Sequence, residues 1–154
     1  MLKLYIFYIA LGFYVLYYGL LAWVFPFDGA ILQVYLALAA SAVLFFIAPA
    51  IALYKPRIAP AIGLICLAGI SPFGLHWVQN RMMDEYYIMW KPENTLMYAA
   101  ILWYLITLIV TINVYTVRQN LKPRYYSKQL KLSLSLLPLL IFFGLVIYFW
   151  LAAV

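Results

Sequence analysis

The chain has 154 residues, 69% of them hydrophobic and 9% charged, with a formal net charge of +6. A soluble domain carries about 25% charged residues, so this composition excludes a fold clothed in water and leaves room for one lipid-embedded unit. The basic excess does not point to nucleic acid, because its residues sit in short loops between apolar runs, where retention on the cytoplasmic side of a bilayer accounts for them.

About 20 apolar residues, rising 1.5 Å each, cross the roughly 30 Å of a hydrocarbon core. Five runs meet that length and predict an all-α, polytopic integral membrane protein, a single bundle occupying residues 1–154. Span one covers residues 4–25 and follows Met1-Leu2-Lys3. It is too long for the apolar region of a signal peptide and no Ala-x-Ala site follows it, so it reads as an uncleaved span. Tyr5, Tyr8, Gly12, Val15, Gly19 and Trp23 share one face at helical spacing, and the two glycines permit close approach of another backbone.

Span two covers 30–54 and carries Ala37, Ala39, Ala40, Ser41 and Ala42, with Pro49 near its end. Span three covers 58–78 and carries Gly63, Gly69 and Gly74 among Ala59, Ala61, Ala68 and Ser71, with Pro72 inside it and the single cysteine, Cys66, at its middle. These small-residue faces make spans two and three the expected centre of the bundle, with spans one, four and five more exposed to lipid. Pro49, Pro72 and Pro138 are each expected to kink a span, since proline removes one backbone hydrogen bond. Cys66 reads as an inert packing residue, its thiolate being disfavoured in an apolar setting.

The third loop places Met82, Met83, Tyr86, Tyr87, Met89 and Trp90 at helical spacing, with Asp84, Glu85 and Lys91 between them. That pattern predicts a short interfacial helix, serving as an anchor or as a lid or partner contact. Glu93-Asn94-Thr95 can cap span four, which covers 95–117 and shows a polar stripe of Tyr104, Thr107, Thr111 and Tyr115. Hydroxyls in a membrane helix bond their own backbone or a neighbouring helix, and a polar pathway is the other reading of the stripe. The fourth loop holds Arg118, Lys122, Arg124, Lys128 and Lys131 and no acid, ahead of span five at 132–151. These cations are expected to contact anionic lipid or a cytoplasmic partner.

All four acids, Asp28, Asp84, Glu85 and Glu93, fall in the first and third loops, whereas eight of the ten basic residues fall at the amino terminus and in the second and fourth loops. The basic side is the cytoplasmic one, so the amino terminus is expected inside and the carboxyl terminus outside. Trp23, Trp77 and Trp150 mark the outer ends of their spans, while Tyr5, Tyr8, Tyr54, Tyr125 and Tyr126 mark the inner side.

His76 is the one histidine and the one candidate ionisable group within a span. With Trp77, Gln79 and Tyr87 it forms a candidate site for a quinone, haem or lipid near the outer leaflet; the plainer reading is an interfacial histidine bonded to water or backbone. A single histidine cannot supply both axial ligands of a haem, and one His with one distant Cys does not make a zinc site. No cofactor is required and none is identified. Adjacent Asp84 and Glu85 point about 100° apart on a helix, so they form no catalytic pair.

The length and span count are similar to those of the tryptophan-rich sensory proteins, and Val24-Phe25-Pro26-Phe27-Asp28 is loosely alike. The long Trp- and Pro-rich loop expected after their first span is missing, and membership is not assigned. The resulting expectation is a non-catalytic subunit of a larger membrane complex, with other membrane subunits and lipids as partners. The alternatives are the hydrophobic-ligand protein and a small oligomeric channel or carrier. With no organelle address visible, a bacterial inner membrane is the expected location.

Overall fold

The computed structural model describes residues 2–24, 31–82, 95–120 and 126–152. Among these every element is helical. They are α1 (Leu2–Val24), α2 (Ile31–Ala42), a π-helical segment (Val43–Ile47), α3 (Ala48–Tyr54), α4 (Ala59–Met82), α5 (Thr95–Thr116), a 3-10 turn (Arg118–Asn120) and α6 (Lys128–Ala152). Because α2, the π segment and α3 follow without a break, five helices are long and apolar enough to cross a membrane. The chain is an all-α membrane bundle. The third-loop helix expected around Met83–Trp90 lies outside the described residues.

Two boundaries differ from the hydropathy reading by about a turn. Gln79, Asn80 and Arg81 extend α4 instead of closing it. At the other, α6 begins at Lys128, because the Ser127 hydroxyl accepts the Leu130 N–H at 3.2 Å as an N-cap.

The prolines are accommodated by donors and by geometry. In an α-helix the proline ring crowds the carbonyl four residues back and leaves it without its N–H partner. At Pro72 that carbonyl belongs to Ala68, and the Ser71 hydroxyl donates to it at 2.9 Å. At Pro138 it belongs to Leu134, and the Tyr5 hydroxyl donates to it at 2.5 Å from another helix. At Pro49 the helix instead widens just before the ring: the Ala48 N–H bonds the Val43 carbonyl, a five-residue step, and Ile47 takes φ −102° and ψ −51°. Such π-bulges are single wide turns inside α-helices. The continuous α-ladders of α4 and α6 through their prolines follow from the same need to satisfy every backbone group in lipid.

The centre of the bundle departs from expectation. Within the membrane-spanning windows, 39% of span one and 44% of span two are buried, against 33% of span three, 11% of span four and 6% of span five. Span one is therefore more central than spans three, four and five. A Cβ on Gly12 would lie 2.8 Å from the Phe45 backbone nitrogen, and one on Gly19 would lie 2.8 Å from the Leu38 Cδ2. The two helices thus meet almost backbone to backbone, in antiparallel register, against the π segment. Tyr5 and Tyr8, expected at the interface, face protein: Tyr8 is fully buried with Leu4, Leu11, Leu44 and Leu67. On α4, a Cβ on Gly69 would lie 3.0 Å from the Ala40 Cβ. At Gly74 nothing among the described residues lies within 4 Å of its Cβ position.

Candidate functional site

Several polar groups of the spans gather in a seam between α1, α4 and α5. On α5, Thr107 and Thr111 are both fully buried. Their spacing of four residues puts them on one face. Each hydroxyl donates back along its own helix, Thr107 to the Trp103 carbonyl and Thr111 to the Thr107 carbonyl, both at 2.7 Å. Tyr104, one turn earlier, reaches across to α4 and donates to the Leu67 carbonyl at 3.0 Å. The stripe read from the sequence is thus closed upon backbone acceptors for three of its four members. Tyr115 belongs elsewhere: the Arg118 guanidinium sits 3.6 Å above its ring, and Arg118 Nη1 donates to its carbonyl at 2.9 Å.

From α1, Tyr8 enters the same seam. Its hydroxyl occupies the space that a side chain on Gly63 would need. It lies near Thr111 and Cys66, and among the described residues it is buried without a hydrogen bond of full geometry. Trp103 Nε1 is buried in the same state, its ring tilted against Phe7 at a centroid distance of 4.9 Å. Cys66 is buried and free. Neither Tyr8 nor Trp103 stood out in the sequence as a seam residue. The pattern that points to Tyr8 is its place on the glycine face of span one; for Trp103 it is the position four before Thr107.

The histidine region is only partly within the described residues. His76 is half-buried and Gln79 exposed, three positions apart on one face of α4. Trp77 lies on α4 between them, and Tyr87 is outside the described residues. Among the described residues no three His, Cys, Asp or Glu side chains come together as metal ligands.

Of the cations singled out from the fourth loop, Arg118 is engaged with Tyr115, as described, and Lys128 is exposed at the start of α6. Lys131 Nζ lies 5.6 Å from the centroid of the Tyr54 ring, within the range of a cation–π contact. Lys122 and Arg124 fall outside the described residues.

No family model matches the chain, and neither a curated protein nor a solved structure matches it.

Proposed function

We propose that this protein is a non-catalytic multi-pass subunit that packs into and stabilises a larger membrane protein complex, in a bacterial inner membrane. The observation that supports this reading is the state of α6, whose membrane window is 6% buried. α6 rests on α3 and the π segment, with Phe142 edge-on to Phe46 at 5.5 Å. Its other side carries Leu132, Leu136, Leu140, Phe143 and Ile147, all between 45% and 66% exposed. Their spacing of four, four, three and four residues is that of a helix–helix seam. Gly144 beside it has open space at its Cβ position, which permits close approach of a further helix. The three hydroxyls of α5 that close on backbone acceptors favour a packing role over a polar route through the bundle.

Purification in mild detergent tests the reading. A stoichiometric membrane partner is expected to accompany the protein, and Leu140→Ser with Phe143→Ser is expected to release it without loss of helicity. A monodisperse lone monomer with no companion would contradict the proposal.

A further inference from the structure

The end of the bundle where α3 stops and α6 starts concentrates positive charge that no acid among the described residues neutralises. Tyr54 closes α3, and Lys55 and Arg57 follow in an exposed turn held by the Ile58 N–H to Lys55 carbonyl bond at 3.0 Å. The Lys131 ammonium is seated over the Tyr54 ring. Lys128, one turn earlier, lies on the same side of α6. Two lysines thus stand in the first turn of a helix that has no acid there, although the positive end of the helix dipole disfavours cations at that place.

The counter-charge does not come from nearby in the chain. Residues 29–83 and 94–154 contain no Asp or Glu. No Asp or Glu falls among the described residues. The cations stand where the apolar windows Leu32–Tyr54 and Lys128–Ile147 end, which is the headgroup level of a bilayer. Exposed Ile58 and Leu130 flank them with apolar surface.

We propose that this junction binds the headgroup of an anionic phospholipid, with Lys55, Arg57, Lys128 and Lys131 supplying the counter-charge. Tyr54 holds the Lys131 ammonium in place as one wall of the site. Stacking on an aromatic face directs the charge without neutralising it, so the ammonium keeps its capacity to donate to phosphate oxygens. Binding here also removes the conflict between the lysines and the helix dipole. None of this depends on whether further subunits surround the bundle.

The test uses the 154-residue chain in vesicles of phosphatidylcholine containing phosphatidylglycerol, extracted in mild detergent, with the retained lipid quantified. Preferential retention of phosphatidylglycerol is expected. Lys55→Gln and Lys131→Gln are each expected to lower it about fivefold, the effect of one basic residue at an anionic surface, whereas Lys131→Arg keeps it. Arg118→Gln, which removes a cation whose guanidinium already donates to the Tyr115 carbonyl, is expected to leave it unchanged. Lys55 lies in a turn outside the helices, so its variant separates charge loss from misfolding. Equal retention of the two lipids, or an equal loss in Arg118→Gln, overturns the proposal. So does displacement of the lipid by millimolar inorganic phosphate, which marks a site for the free ion.

Discussion

Span one and α6 are both apolar helices of similar length, yet they are held in opposite ways. Span one is locked by absent atoms: Gly12 and Gly19 bring it against span two, and Gly63 of α4 admits the Tyr8 hydroxyl. α6 has large side chains throughout its exposed faces, and a polar tie to α1 is the Tyr5 bond to the Leu134 carbonyl. Apolar character by itself therefore does not distinguish a central helix from a peripheral one in lipid, because the tails are as apolar as the side chains. Close backbone approach and hydrogen bonds make the difference.

The largest effect is expected where that approach is tightest. Gly12→Leu drives a side chain into the Phe45 backbone, which cannot move aside without displacing span two. A loss of about 3 kcal/mol or more is expected, read as the midpoint of unfolding in detergent. The same change at Gly74, which faces open space, is expected to leave the midpoint in place. Equal tolerance at both positions would erase the contrast between the two regions.

A smaller loss, about 2 kcal/mol, is expected for Gly63→Ala, since the new methyl meets the Tyr8 hydroxyl. Here the obstacle is the end of a side chain, but the Tyr8 Cζ also lies 2.5 Å from the Cβ position, so Tyr8→Leu, which removes both hydroxyl and Cζ, is expected to restore part of the loss when combined with Gly63→Ala. Additive effects in the double variant would show that the two residues do not share the contact.

The smallest of the three belongs to α6. Tyr5→Phe removes the donor to the carbonyl freed by Pro138. An orphaned buried acceptor costs about 1–3 kcal/mol, but water and lipid headgroups near the bundle end reduce this to about 1 kcal/mol. Protease access or hydrogen exchange localised to the first turns of α6 is the sharper readout. An unchanged α6 would mean that the contact with α3 alone holds it.

Much of this architecture was legible in the chain. Hydropathy located the five spans because length and apolar content act locally, and the spacing of Thr107 and Thr111 placed both on one helical face. Partner choice was less accessible. Spans one, two and three all carry small residues, and which of them meet depends on tertiary placement. Tyr5 and Leu134 are 129 positions apart, and no local pattern links a tyrosine in span one to a proline-freed carbonyl in span five. The Ser71-Pro72 pair is different: donor and broken acceptor lie within one turn, so the remedy is written next to the defect. Of the histidine group, His76 and Gln79 share one face of α4 through their three-residue spacing, while Tyr87 lies outside the described residues.

The wide turn at Val43–Ile47 sets the phase between the two halves of span two. It holds one residue more than an α-helical turn would, so the extra residue is absorbed within the turn and the faces on either side keep the phase of an unbroken α-helix. Removing one of the five would let the turn close to α geometry with the face that meets Gly12 and Gly19 and the face that meets α6 still in step. Removing one residue from the α-helical stretches on either side would instead rotate one face by roughly 100° against the other. Single-residue deletions should therefore be better tolerated inside this turn than outside it.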